Sequence, residues 1–154
     1  MEIELIDGDL LKQDVEVIVN AWNQNFIPWW LLIPQGVSKH IKKLAGNSPF
    51  KEIRKHGFLH LGEAKLTGAG TLPYKGIIHV AGINIFWFAT RYSIEQSVRN
   101  AMKIVNEKQF KSIAFPLIGA GTGSKGKKLS EQIILDTLKS IDSHAIVKIV
   151  RFKK

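Results

Sequence analysis

Three runs of strand length, "GIIHVAG" (76–82), "SIAFPLIG" (112–119) and "AIVKIVRF" (145–152), are apolar almost throughout. A strand with one face in water alternates polar and apolar residues. A strand that is apolar on both faces has to be covered on both, which calls for helices above and below a largely parallel sheet. Two further runs, "EIELI" (2–6) and "VEVIVN" (15–20), are rich in β-branched residues and alternate, and "EAKLT" (63–67) is a weaker strand. Helical patterns fall between these runs. "VSKHIKKLA" (37–45) reads as a short helix stopped by Gly46, and "SPFKEIRKH" (48–56) as a second, with Ser48 as N-cap and Pro49 in the first turn. In "SIEQSVRNAMKIVNEKQF" (93–110), Ser93 and Gln96 have capping-box spacing, and Ile94, Val98, Ala101, Met102 and Val105 share one face. A last helix near 127–140 is expected to turn Leu129, Ile133 and either Leu138 or Ile141 inward. The pattern predicts an α/β fold of three layers, α-β-α, around a central mixed sheet, as one domain over residues 1–154.

Composition narrows the function classes. At 154 residues the chain is long enough for a real core, and no run approaches the roughly 20 apolar residues of a membrane span. The start, "MEIELIDGDL", carries acid where a secretory leader would carry base. With zero cysteines, disulfides and thiolate metal sites are excluded, so a cytoplasmic location is the expectation, with no membrane partner, no cofactor and no metal site. The formal charge of +9 favours anionic partners, but the basic residues are spread over helical segments and the tail "RFKK" rather than one stripe. No aromatic-rich RNA-binding signature or helix-turn-helix pattern accompanies them.

The chemistry concentrates where "IAFPLI" gives way to "GAGTGSKGKK": four glycines fall within residues 119–126, directly after a buried strand. One reading takes residues 121–128 as G-x-x-x-x-G-K, a nucleotide triphosphatase loop, with Lys128 where the magnesium-binding Ser or Thr belongs. The missing hydroxyl and the late position in the chain weigh against it. The other takes Gly119, Gly121 and Gly123 as a bare-backbone cradle whose N–H groups converge on an oxyanion at the start of a helix. The loop by itself is also compatible with a tight strand-to-helix turn.

Four blocks in order lift that ambiguity. "GDLL…DVEVIVNAWN", "PQGVSKHI", "LPYKGIIHVAGI" and "SIAFPLIGAGTG", spread over residues 8–123, resemble the macrodomain family, whose forms are G-D-I…D-A-I-V-N-A-A-N, G-G-G-V-D-G-A-I-H, L-P-x-K-x-V-I-H-T-V-G-P and S-I-A-F-P-A-I-S-T-G-x-Y-G. The resemblance implies an ADP-ribose-binding cleft, with ADP-ribose or an ADP-ribosylated protein as partner. Asp9, by itself an ordinary turn residue, matches the aspartate that accepts from the adenine amino group, and Leu10 would wall the base. Asn23 matches the residue bonding the distal ribose diol. Gly36 and Val37 correspond to the first phosphate loop, and Gly119, Ala120, Gly121, Thr122 and Gly123 to the second. Asn20 reads as a structural partner at the strand end, and His79, inside an apolar strand, as a core residue rather than a catalyst.

The departures bear on activity. Where the family has a glycine run, this chain has "IPWWLLIPQG" (27–36), in a segment longer than usual. Trp29 and Trp30 either plug the core beneath that segment or form a lid at the distal ribose, replacing the aromatic ring the family often has at the position of Gly123. Ser38 stands in place of the aspartate of the deacetylase-like branch, Gly123 in place of a loop aspartate of another branch, and the paired glutamates of the glycohydrolases have no counterpart. No recognised general base is left, and an unassisted serine is a poor substitute. ADP-ribose binding is therefore the leading expectation. ADP-ribosyl hydrolysis through a positioned substrate is the alternative, and binding of nucleic acid or poly-ADP-ribose through the basic surface is the third.

Overall fold

The computed structural model describes residues 1–23, 37–55, 59–83, 90–118 and 126–152. Its strands are β1 (Glu2–Gly8), β2 (Val17–Asn23), β3 (Ala64–Thr67), β4 (Gly76–Ile83), β5 (Ser112–Pro116) and β6 (Ile146–Phe152), and its helices are α1 (Val37–Ala45), α2 (Ser48–Lys55), α3 (Arg91–Lys108) and α4 (Lys127–Lys139). The strands form one sheet in the order β1-β6-β5-β2-β4-β3. Every neighbouring pair is parallel except β3 against β4.

Because side chains alternate along a strand, each central strand feeds two cores. Val17, Val19, Ile78, Val80, Ile113, Phe115, Val147 and Ile149 face α3 and α4. Ile18, Ile77, Ala114 and Val150 face the other way, against Ile41 and Ala45 of α1 and Phe50 of α2. The result is the three-layer mixed-sheet architecture expected from the apolar runs. The α3 stripe of Ile94, Val98, Ala101, Met102 and Val105 is fully buried, and each of its side chains larger than Ala101 contributes about 1.5–3 kcal/mol of burial free energy before entropy is charged against it. Gly46, at φ +82, ends α1 in the left-handed region, donating its N–H to the Lys42 carbonyl.

Several boundaries differ from the sequence reading. The cap of α3 is Thr90, not Ser93: the Thr90 hydroxyl accepts from the Ser93 N–H and the Ser93 hydroxyl from the Thr90 N–H. Ser93 thus holds the inner place of the box, freed for it by lying on the buried face. The second helix begins at Ser48 itself, with the Asn47 carbonyl taking the first helical bond from Lys51. In α4, Ile133 and Leu138 point inward as expected, together with Ile134 and Thr137, but Leu129 is exposed and Ser130 takes the inward place beside it. β5 stops at Pro116 and β2 runs on to Asn23.

The amino edge of the sheet is tied by one side chain. Glu16 accepts from the Lys111 backbone N–H at 2.5 Å and pairs with the Lys75 ammonium, while its own N–H donates to the Ser112 hydroxyl and its carbonyl accepts from Lys75. Glu16 therefore joins the lead-ins of β2, β4 and β5. The Lys75 hydrogen bond and then the Lys111 N–H hold its carboxyl below the ordinary glutamate range.

A buried polar chain crosses from β2 to β3. Asn20 Nδ2 lies 3.1 Å from His79 Nδ1, and His79 Nε2 lies 2.9 Å from the Thr67 hydroxyl, which donates to the Gly68 carbonyl. With Asn20 Nδ2 as donor, Nδ1 is the acceptor and Nε2 carries the proton, so the hydrogen bonds fit a neutral imidazole. Phe50 meets the ring edge to face with 5.9 Å between centroids.

At the far side, β1 is an outer strand whose Glu2, Glu4 and Asp7 are exposed. Charges there blunt an edge that would otherwise recruit another strand.

Two stability predictions follow from these contacts. Glu16→Gln should cost about 1 kcal/mol at pH 7, since the pair is partly exposed. A depressed carboxyl contributes fully above the ordinary range near 4.5 and loses its contribution as pH falls through the folded-state value, so the difference should be smaller at an acid pH below that range than at pH 7. Urea unfolding at both pH values measures it. Thr67→Val keeps the shape but strands the imidazole N–H and should cost about 1–3 kcal/mol in the same assay.

Candidate functional site

Parallel strands end on one side. The carboxyl ends of β1, β6, β5, β2 and β4 form a single edge, met in that order as Gly8, Phe152, Pro116, Asn23 and Ile83. In such sheets ligands bind beyond this edge. The order sets a sequence of chemistry along it: the Asp9 carboxylate after β1, the lead-in to the glycine-rich segment after β5, and the Asn23 position at the end of β2. α1 opens at Val37 beside β2, so its N-terminal turn belongs to the same end of the molecule.

Asp9 is fixed by its backbone. It caps the single 3-10 turn Leu10–Lys12, accepting at Oδ1 from the Leu11 N–H at 2.9 Å, while its carbonyl accepts from the Gln13 side chain at 2.9 Å. A carboxylate accepts several hydrogen bonds at once, so the cap orients Asp9 without using up its acceptor capacity. Leu10 is buried in the core cluster that also holds Val15 and Val150, and Tyr74 packs against that cluster. The Tyr74 hydroxyl lies 3.1 Å from the Gln13 carbonyl and 3.4 Å from that of Leu10, bracing the turn from below. Burial first, and then the negative charge of Asp9, pushes the Tyr74 hydroxyl above its usual range.

The middle of the edge is anchored by two serines. Ser130 of α4 donates to the Ile118 carbonyl at 2.6 Å, tying the exit of β5 to the helix beyond. Ser93 of α3 donates to the Gly82 carbonyl at 2.8 Å and does the same for β4. Neither serine stood out in the sequence as a site residue. The available signal was position: Ser93, Ser97 and Ser130 occupy inward helical places otherwise given to apolar residues.

Of the anticipated binding residues, Asp9 and Leu10 are described in full, and Asn23 and Val37 through their backbone. Gly36, Gly119, Ala120, Gly121, Thr122 and Gly123 lie outside the described residues, as do Trp29 and Trp30. His79 is fully buried and engaged in the core, where it fits the structural part read for it; Asn20 is its partner, with Oδ1 unbonded among the described residues. Among the described residues no group of three or more His, Asp or Glu side chains is arranged to hold a metal ion, and no helix is long and apolar enough to cross a membrane.

The same arrangement recurs in known proteins. The Macro domain family model matches residues 19–134. A macro domain-containing protein of Listeria monocytogenes is 35% identical over 147 residues, covering 90% of this chain and 80% of its own. An O-acetyl-ADP-ribose deacetylase of Enterobacter cloacae is 32% identical over 144 residues, covering 89% and 77%. The Oceanobacillus iheyensis macrodomain, solved with ADP, superposes with a TM-score of 0.84 at 30% identity over 99% of this chain and 84% of that one. Overall fold and sequence agree: the chain belongs to the macrodomain family.

Proposed function

We propose that this protein binds ADP-ribose, free or carried on a protein, across the carboxyl edge of its sheet, as one domain spanning the chain. The observation that supports this best is the spacing of chemistry along the edge. A backbone-fixed carboxylate stands at β1, and the Asn23 amide position lies three strands away at β2, with the glycine-rich segment entering after β5, between them. In this reading Asp9 accepts from the adenine amino group and Leu10 backs the base. Guanine would present an acceptor at that edge, facing a second acceptor, and is rejected. Gly36, Val37 and Gly119 to Gly123 offer backbone N–H groups to the diphosphate, where side chains would keep the phosphates away. Asn23 provides a donor and an acceptor to the distal ribose diol, and Trp29 and Trp30 supply the apolar wall that Gly123 does not. The solved relatives with ADP, and with ADPR in a G37V mutant of the Oceanobacillus protein, are in keeping with this reading.

A hydrolytic role is the second reading, favoured by the similarity to proteins named O-acetyl-ADP-ribose deacetylase. With Ser38 in place of an acid, catalysis would rest on holding the scissile bond and a water in line rather than on a strong base. The basic surface supports a third, weaker reading, nucleic-acid binding.

Calorimetry with ADP-ribose, GDP-ribose and an RNA oligomer separates them. ADP-ribose should bind and GDP-ribose should not; RNA binding that collapses with salt, without ADP-ribose binding, would replace the proposal. Asp9→Ala should weaken ADP-ribose binding by about 1–3 kcal/mol. Trp29→Ala and Trp30→Ala should each weaken it too, and unchanged affinity in both rejects the lid. Release of ADP-ribose from a modified protein, lost in Asn23→Ala, would establish the enzyme.

A further inference from the structure

The geometry points to Gly82 as a positioning residue: its missing side chain is the seat into which Ile118 locks, and this seat sets Asn23 and the entry to the glycine-rich segment at a fixed separation. The inference rests on the binding reading above and specifies which part of the frame that binding depends on.

Three observations carry it. β2 and β4 pair without interruption from Val17 with Gly76 to Trp22 with Ala81, after which Asn23 pairs with Ile83. Gly82 is thus the extra residue of a bulge on β4, placed where β2 reaches Asn23. Second, a Cβ at Gly82 would stand 2.4 Å from Ile118 Cγ2, a distance that requires one of the two chains to move. Gly82 is not among the glycines at positive φ, so glycine is needed there for space and not for conformation. Third, both partners are pinned from outside the contact. The Gly82 carbonyl accepts from Ser93, which is itself locked in the Thr90 capping box, and the Ile118 carbonyl accepts from Ser130 of α4. Ile118 is fully buried, and the residue after it is Gly119.

These contacts make one junction from β4, β5, α3 and α4. A ligand that touches both Asn23 and the segment after Ile118 needs their separation held to a fraction of an ångström, because misplacement by about 1 Å can cost on the order of a hundredfold. Simple tight packing predicts something different: added volume would lower stability without singling out any part of the ligand.

The test is Gly82→Ala, alone and combined with Ile118→Leu, which removes the clashing β-branch methyl and conserves volume. Each protein is titrated with ADP-ribose and with adenosine, which lacks the diphosphate and distal ribose, and amide NMR spectra are recorded without ligand. Gly82→Ala should lose tenfold or more in ADP-ribose affinity, keep adenosine affinity within about twofold, and shift the amides of Ile118 and the residues that follow it. The double variant should recover both affinity and shifts. Equal losses for the two ligands, unchanged ADP-ribose affinity, or no recovery in the double variant would overturn the inference. If Gly82→Ala does not fold, Ser130→Ala probes the same junction from the Ile118 carbonyl, with the same split between ligands expected and an equal loss counting against it. If the wild type fails to bind ADP-ribose, the binding reading falls, and the amide shifts alone then decide whether Gly82 seats Ile118.

Discussion

Five strands running the same way impose the rest of this molecule. Parallel neighbours cannot be joined by tight turns, so the chain has to cross back over the sheet between them, and every crossing leaves from the carboxyl edge. The apolar character of β2, β4, β5 and β6 on both faces demands that these crossings be covered by helices. α1 and α2 cover one side, α3 and α4 the other. Burial and connectivity together therefore decide where loops accumulate, and the segments richest in glycine and tryptophan leave from that edge.

The two edges are built differently. At the amino edge a single carboxylate, Glu16, gathers the starts of three strands through charged and backbone hydrogen bonds. At the carboxyl edge the neutral hydroxyls of Ser93 and Ser130 hold the exits of β4 and β5 by their carbonyls, and Arg151, near the end of β6, lies 3.3 Å from Asp7 of β1 and 3.7 Å from Glu131 of α4. The ties at the exits of β4 and β5 are thus neutral, whereas ionic ties lie at the β1–β6 end of this edge and, through Glu16, at the opposite end of the strands.

Much of this was legible in the residues, and the reasons differ by element. The buried strands announced themselves because continuous β-branched runs have few alternatives in water. The α3 stripe was readable because its five apolar positions keep helical spacing without interruption. Two of the misreadings share one cause, which is that hydroxyl side chains bond to backbone in ways that periodicity cannot express. Ser93 looked like a cap and is instead the inner partner of Thr90. Leu129 looked inward, but Ser130 takes that place and reaches the Ile118 carbonyl. At the edge, Asp9 was identifiable through its place in a family-like string, whereas Tyr74, more than sixty residues away in sequence, declares its bracing role only when folding brings it under the turn.

The acidic outer strand has a consequence for how these molecules coexist. Two copies approaching rim to rim along β1 would bring Glu2 and Glu4 of one toward those of the other, and that repulsion opposes joining the two sheets along their open backbone, while Asp7 is held by Arg151 of β6 at 3.3 Å. Screening shortens that repulsion to about 8 Å at physiological ionic strength. The guard on this rim is in this way set by salt as much as by shape, and it consists of acidic side chains on the first strand of an otherwise strongly basic chain.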